Sequence, residues 1–249
     1  MAGTSKTFSF KTLLAETPRG QPLTTAWLAQ KGLTAKHAAR LAKDGWLRRI
    51  GHGVYGLPGD TLERDASLAS LGTLISGLHI GGKTALNLRG FRHNLTHRET
   101  ISLWGDSSTK LPAWFTEQFP AHYQATHLFD AETPMDLGIA PLPVGRPDLR
   151  VSTPERAILE LLSDVGKRQA LEEAKHLVES ARMLRTDVLE DLLSHLTRIK
   201  VVRLAHAIAD ELALPWTTLA LKHSKRIGGG DRWVNVGRTG DRLTLSRKK

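Results

Sequence analysis

The chain has 249 residues and no cysteine, and this absence removes several kinds of protein from consideration. Without thiols there is no disulfide framework, no thiolate metal site and no cysteine nucleophile. The lack of cysteine also fits the reducing cytoplasm, where disulfides rarely persist.

Long apolar runs are missing as well. No stretch approaches the roughly 18 apolar residues of a membrane-spanning helix, and the N-terminal sequence MAGTSKTFSFKTLL lacks the apolar centre of a secretion signal. Apolar residues make up 40% of the chain, which is ordinary for a globular protein with a core. We therefore expect a soluble, cytoplasmic protein with no membrane partner.

Catalytic and metal-binding patterns are also scarce. The chain has no G-x-S-x-G nucleophile elbow and no HExxH motif. His93 and His97 are four residues apart, but the polar residues between them indicate a loop. The acidic pairs at 172–173 and 190–191 lie on stretches rich in Lys and Arg, as on solvated helix faces. We predict no catalytic residue, no metal site and no cofactor, and expect that the protein is not an enzyme.

One motif favours the opposite view. Residues 77–84 (GLHIGGKT) fit the pattern G-x-x-x-x-G-K-[ST], in which Lys83 and Thr84 would contact the phosphates and magnesium of a nucleotide. Such a loop must follow a buried strand, whereas residues 62–76 have a helical pattern. A short strand that runs into a helix start is the preferred interpretation, and a P-loop enzyme is the alternative.

Positive charge is concentrated at the two ends of the chain, whose formal net charge is +10. Residues 1–60 hold nine Lys or Arg against three Asp or Glu, and residues 222–249 hold nine against two. A basic patch favours a phosphate backbone through counterion release. Charge that serves only solubility is the alternative, above all for the C-terminal block, because basic tails are common.

The most informative stretch is residues 23–57, which has the pattern of a helix-turn-helix followed by a two-stranded wing. Leu23 and Leu28 lie on the apolar face of a predicted first helix, and Gly32 supplies the turn. Thr34 is placed to cap the next helix with its hydroxyl group.

The second helix, predicted over residues 34–44, directs Ala38 and Leu41 inward. Its outer face carries four side chains that are or can become positively charged: Lys36, His37, Arg40 and Lys43. Residues 46–50 and 54–57 predict two short strands around a glycine-rich tip. This hairpin adds three more such side chains: Arg48, Arg49 and His52. A basic outer helix beside a basic hairpin suits a DNA groove.

Each of these side chains has an expected role. Residues early in a recognition helix reach deepest into the major groove, so the expected contacts to base edges come from Lys36, His37 and Arg40. The expected phosphate contacts come from Lys43, Arg48, Arg49 and His52. Together with Thr34 they form the predicted DNA-binding site. A winged helix that binds only other proteins is the alternative.

The rest of the chain predicts a mixture of helices and strands. Helices are predicted over residues 62–76, 85–88, 153–164, 167–181, 186–196 and 199–213, strands over 99–104, 123–129 and 138–144, and a hairpin over 232–245. Phe8 to Ala15 would add a first helix to the N-terminal core. The predicted class is α+β, with a winged helix-turn-helix domain in residues 1–58 and a mixed α/β and helical domain in residues 59–249.

Four segments in order along the chain resemble one family. Residues 41–55 (LAKDGWLRRIGHGVY) resemble the N-terminal winged helix of AbiEi-type antitoxins, the transcriptional regulators of type IV (abortive-infection) toxin–antitoxin pairs. GGKTAL at 81–86 is similar to the family's glycine-glycine-x-Thr-Ala-Leu segment, which weighs against the phosphate loop. STPERA at 152–157 resembles its Ser-Pro-Glu-Arg-Ala helix start, and residues 200–232 resemble its C-terminal pattern. The final strand is shorter than the resemblance leads us to expect.

The resemblance implies two functions for one chain. The N-terminal module would bind repeated sites in double-stranded promoter DNA, as a monomer or as a dimer, and would thereby repress its own operon. The C-terminal domain would counteract a toxin of the nucleotidyltransferase type. In type IV systems this neutralisation is thought not to need a stable complex, so direct contact with the toxin is an open question.

Overall fold

The computed structural model describes residues 12, 14–15, 17–91, 100–227, 232–236 and 242–246. The chain divides into two compact units. The first unit comprises Met1–Ser76 together with Lys110–Pro120, and the second comprises Gly77–Thr109 together with Ala121–Lys249. The connection between two strands of the second unit thus contributes residues to the first.

The helices and strands alternate irregularly along the chain. The helices are α1 (Thr25–Gln30), α2 (Ala35–Lys43), α3 (Arg64–Gly72), α4 (Gly82–Leu88), α5 (Ala113–Thr116), α6 (Pro154–Asp164), α7 (Leu171–Ser180), α8 (Thr186–His195), α9 (Ile199–Glu211) and α10 (Thr217–Arg226). The strands are β1 (Leu23–Thr24), β2 (Arg48–Gly51), β3 (Val54–Gly56), β4 (His79–Ile80), β5 (Ile101–Trp104), β6 (Ala121–Gln124), β7 (Ile139–Ala140), β8 (Val151–Ser152), β9 (Arg232–Val236) and β10 (Arg242–Ser246). None of the described helices is both long and apolar enough to span a bilayer. The predicted α+β class is confirmed.

The helix-turn-helix core of the first unit is closed by seven buried side chains: Leu23, Leu28, Leu33, Ala38, Leu47, Tyr55 and Leu57. Two threonines begin its helices. Thr24 Oγ1 accepts a hydrogen bond from the Trp27 amide at 3.1 Å, and Thr34 Oγ1 accepts one from the His37 amide at 3.3 Å. These caps satisfy amide groups that have no partner within the helix. The cap predicted at Thr34 is confirmed.

One expectation about this core is wrong. Leu23 does not lie on the first helix but in strand β1, where it pairs with Tyr55 of β3. The sheet is therefore three-stranded, in the order β1-β3-β2, rather than a two-stranded wing. A strand of two residues is too short to show an alternation of apolar and polar side chains, so the sequence favours placing Leu23 on the adjacent helix. Most of the helix predicted from Phe8 to Ala15 lies outside the described residues.

The second unit contains a mixed five-stranded sheet in the order β6-β5-β4-β8-β7. Strand β4 pairs antiparallel with β5 and parallel with β8, so it lies at the centre. Helix α4 follows β4 directly, and α6 follows β8 in the same way. The predicted short strand that runs into a helix start at residues 77–84 is confirmed.

The helices after Thr153 agree with their predicted positions, but α10 was missed. Its buried positions include His223 and Ser224 beside Ala220, so polar residues interrupt the apolar period. Two strands are also displaced: β6 ends at Gln124 instead of spanning 123–129, and only Ile139–Ala140 of 138–144 forms a strand. The terminal hairpin is present, with β9 and β10 paired antiparallel, while its turn lies outside the described residues.

Candidate nucleic-acid interface

Helix α2 separates its residues into an inner and an outer face. Ala38 is fully buried in the core, whereas all four predicted outer residues are exposed: Lys36, His37, Arg40 and Lys43. The Arg40 side chain is 81% exposed and lies 3.7 Å from Asp44, one turn later. Exposed pairs of this kind are weak, so the guanidinium can exchange this partner for a phosphate or a base.

The predicted hairpin directly follows α2 and packs against it. Its turn consists of His52 and Gly53, and Gly53 has a φ of +66°, a left-handed conformation that glycine adopts without strain. The Gly53 carbonyl accepts a hydrogen bond from the Thr25 amide at 2.8 Å, which ties the tip to α1. The first strand begins at Arg48 rather than at Trp46, which is 57% exposed.

The two hairpin arginines have different surroundings, although both are exposed. Arg48 donates from Nη2 to the Asp60 carbonyl at 3.0 Å, while Arg49 donates from Nε to the Gly51 carbonyl at 3.4 Å. The Asp60 carboxylate also accepts from Arg19 at 2.6 Å. Burial on its own raises the pKa of Asp60, but hydrogen bonds from the Gly20 amide and Arg19, with the charge of Arg48, lower it. Asp60 thus anchors the base of the hairpin.

The hairpin is supported by a helix that the sequence does not predict. Helix α5 lies in the segment Lys110–Pro120, and its Trp114 packs against Gly51 of β2. Trp114 is only 6% exposed, and its ring meets the fully buried Phe115 ring edge-on at 5.9 Å between centroids. The two adjacent aromatic residues in an otherwise turn-rich segment were the only signal that this segment is part of a core.

The geometry of residues 77–84 is incompatible with a phosphate loop. Strand β4 occupies the middle of the motif and pairs on both sides, so its backbone cannot wrap a phosphate. Thr84 Oγ1 accepts a hydrogen bond from the Ser102 amide at 3.0 Å, and Lys83 Nζ lies 2.5 Å from Glu173. Both residues that would bind the nucleotide are therefore engaged within the protein.

At the start of α4, the backbone amide that a phosphate loop would offer to its ligand instead donates to a carboxylate of the chain itself. Glu160, fully buried on α6, accepts from the Gly82 amide at 2.9 Å and from Ser152 Oγ at 2.8 Å. Its other oxygen accepts from Arg156 Nε at 2.9 Å and lies 2.9 Å from His79 Nε2. Burial on its own raises the pKa of Glu160, but the charges and hydrogen bonds of His79 and Arg156 lower it to about 2.

This buried carboxylate also explains the first of the two adjacent glycines at the start of α4, whereas the second, Gly82, has a φ of +53° that favours glycine. A methyl group on Gly81 would collide with Glu160 and would lie 2.5 Å from Cδ1 of Trp104. His79 Nδ1 faces the Gly77 carbonyl at 2.8 Å, so both of its ring nitrogens have partners within the protein. The segment that resembles a nucleotide motif is therefore the centre of a structural charge network.

A second buried carboxylate fixes the start of α6. Glu155 accepts hydrogen bonds from the Arg185 amide at 3.0 Å, from its Nε at 3.1 Å and from its Nη2 at 2.9 Å. Burial on its own raises the pKa of Glu155, but the hydrogen bonds of Arg185 outweigh burial and lower it to about 2. The STPERA segment thus supplies partners for two networks.

A cavity of about 310 Å³ opens beside the first of these networks, within the second unit. Arg156 lies in its wall with the guanidinium carbon 5.0 Å from the centre of the Phe129 ring, and Trp104, Asp106 and Asp130 also line it. The sequence predicts no site from these residues, because they come from three separate segments of the chain.

A winged helix-turn-helix with an exposed basic face is typical of transcriptional regulators, and comparison with known families agrees. Residues 6–97 match the family described as "Transcriptional regulator, AbiEi antitoxin N-terminal domain", and residues 98–246 match "Transcriptional regulator, AbiEi antitoxin, Type IV TA system". The chain belongs to this AbiEi antitoxin family. The resemblance stated from the sequence is confirmed.

Solved structures give a fold comparison. The RV2827C protein from Mycobacterium tuberculosis superposes with a TM-score of 0.59 at 16% sequence identity, covering 92% of this chain and 84% of that one. At this identity the match establishes similarity of fold alone. No curated protein sequence matches the chain at a significant level.

Proposed function

We propose that this regulator binds double-stranded DNA through α2 and the β2–β3 hairpin, and thereby represses the operon that encodes it. The observation that carries the proposal is the exposed set of predicted contact residues on α2 and the hairpin, which share one compact unit. Cations on a recognition helix and wing supply phosphate contacts, and the donors near the start of α2 are placed to read base edges. The functional DNA-binding domain is proposed within residues 1–58, with Thr34 fixing the start of the recognition helix.

A binding experiment with two duplexes tests this proposal. Fluorescence anisotropy compares DNA from upstream of the gene with a scrambled duplex of equal length. Loss of one good base contact costs about 1–3 kcal/mol of discrimination, so Lys36→Ala with Arg40→Ala should weaken the upstream duplex by at least about fivefold more than the scrambled one. Equal weakening on both duplexes would assign these residues to phosphates only.

A matched control removes the same charge elsewhere. Arg146→Ala with Arg150→Ala also deletes two positive charges, but in the second unit, where these arginines pair with Asp148 and Asp136. This control should bind both duplexes like the wild type. No binding of the wild type to either duplex would refute the DNA-binding proposal and leave a winged helix that recognises proteins.

We further propose that residues 59–249 carry the antitoxin function, directed against a nucleotidyltransferase-type toxin. The supporting observation is that the second unit has its own sheet, helices and buried charge networks, separate from the predicted DNA contacts. Co-expression with a nucleotidyltransferase encoded beside it tests this division. The Lys36→Ala and Arg40→Ala variant should still rescue growth while losing repression of a promoter reporter. Simultaneous loss of both activities in a folded variant would contradict the division.

A further inference from the structure

We propose that Trp114 is a positioning residue for DNA binding, because it holds the hairpin strand that carries Arg48 and Arg49. The proposal rests on the DNA-binding function argued above. Trp114 itself is buried and would not touch DNA. It acts through Gly51, which lies on β2 immediately before His52 at the tip.

The contact between Trp114 and Gly51 leaves no room for a side chain at position 51. A methyl group on Gly51 would lie 2.6 Å from Cδ1 of the indole, and Cγ and Nε1 would be 3.4 and 3.5 Å away. The indole edge therefore lies directly on the hairpin backbone. Cδ1 belongs to a rigid ring that also contacts the buried Phe115 ring edge-on, so it yields less easily than the end of a flexible side chain would.

Glycine at position 51 is required by this contact and not by its backbone conformation. Gly51 is absent from the glycines with positive φ, whereas Gly53 at the tip has a φ of +66°. A residue with a side chain could adopt the conformation of Gly51 if the indole were not there. The β2–β3 register shifts between Arg49 and Gly51, as in a β-bulge, so the indole presses on the point where the strand bends.

Displacement of this strand would move the proposed phosphate contacts together. Arg48, Arg49 and His52 lie within three residues of Gly51 on the same strand and turn. A contact that is misplaced by about 1 Å loses most of its value, since charged hydrogen bonds depend on geometry. The segment Lys110–Pro120 thus gives the DNA-binding unit a part that lies far along the chain.

A double-mutant cycle tests the proposal directly. Gly51→Ala forces the hairpin away from the indole, Trp114→Ala removes the support, and the double variant leaves space for the new methyl group. Gly72→Ala is the matched control in the same unit, because a methyl group at this exposed end of α3 meets no neighbouring atom within 4 Å and the φ of Gly72 is not positive. The readouts are affinity for duplex DNA at several salt concentrations and the thermal midpoint of the same samples.

We expect Gly51→Ala to lower DNA affinity and flatten its salt dependence in protein that is still folded, and Gly72→Ala to change neither. The loss in the double variant should be smaller than the product of the two single losses, by about 2- to 150-fold, the range for residues in contact. Full affinity of folded Gly51→Ala and Trp114→Ala would overturn the proposal while leaving DNA binding intact. Failure of the wild type to bind DNA would instead refute the underlying function, and the coupling in thermal midpoints would remain measurable.

Discussion

The two units of this protein differ in whether their charged side chains are exposed or buried. In the first unit no described charged residue is fully buried, although the Asp60 side chain is only 10% exposed, and the cations of α2 and the hairpin face solvent. The second unit buries Glu155, Glu160 and Asp164 on a single helix, α6, and surrounds the first two with hydrogen-bond donors. Exposed charge is available to a partner, whereas buried charge is committed to the fold. The difference agrees with a recognition function for the first unit and shows that a charged motif in the second is structural.

The strongest test of this difference is the substitution Glu160→Gln. The amide keeps the size of the side chain but leaves Arg156 and His79 without their anion, and removal of one partner from a buried ion pair costs about 3–5 kcal/mol. We expect the free energy of unfolding of the second unit to fall by about this amount in urea titrations. Glu179→Gln, an exposed carboxylate on α7, is the control and should stay within about 0.5 kcal/mol of the wild type. A small effect of Glu160→Gln would mean that its charge is not committed to the fold.

Acid should destabilise the second unit by the same mechanism. The pKa values of Glu155 and Glu160 are lowered from 4.5 to about 2, so the folded state binds these protons more weakly than the unfolded state. Their contribution to stability is complete above about pH 4.5 and is lost as the pH falls towards 2. Hydrogen exchange should therefore show protection falling over this range in α6 and its neighbours. In the Glu160→Gln variant, protection should depend less steeply on pH than in the wild type. An unchanged pH dependence would contradict the proposed contribution of Glu160 to stability.

The exposed basic face of α2 could be predicted from the sequence because exposed charge on a helix follows a local period. The spacing of Lys36, Arg40 and Lys43 around Ala38 is enough to place three cations on one face. The contacts that the sequence does not predict are long-range. Gly82 and Glu160 are 78 residues apart, and Trp114 contacts Gly51 although two strands of the other unit lie between them in the sequence. A single sequence contains no period that links such residues. The sequence predicts Gly51 as part of a hairpin turn and Gly81 as part of a helix start, and neither interpretation points to a distant partner.

The exposed charges of the first unit predict a dependence on salt. If Arg48 and Arg49 both contact phosphates, Arg48→Ala with Arg49→Ala should reduce the slope of log affinity against log salt by up to about 2 and weaken all duplexes alike. Thermal stability should change little, because both side chains are exposed. Arg48 also bonds the Asp60 carbonyl, so a single Arg49→Ala variant separates DNA contact from support of the hairpin. An unchanged slope in the double variant would remove both arginines from the proposed interface.

The smallest expected effect belongs to Lys83, the residue that the nucleotide motif would make essential. Lys83 and Glu173 form an ion pair in which each side chain is 29% exposed, so their charges are neither free nor fully buried. Pairs with this exposure contribute up to about 1 kcal/mol, and Lys83→Ala should lower the free energy of unfolding by no more than that. Titration with ATP and magnesium should give the same result for the wild type and the variant. Nucleotide binding that disappears in Lys83→Ala would restore the P-loop interpretation. Glu160 would then have to leave the Gly82 amide so that a phosphate could take its place.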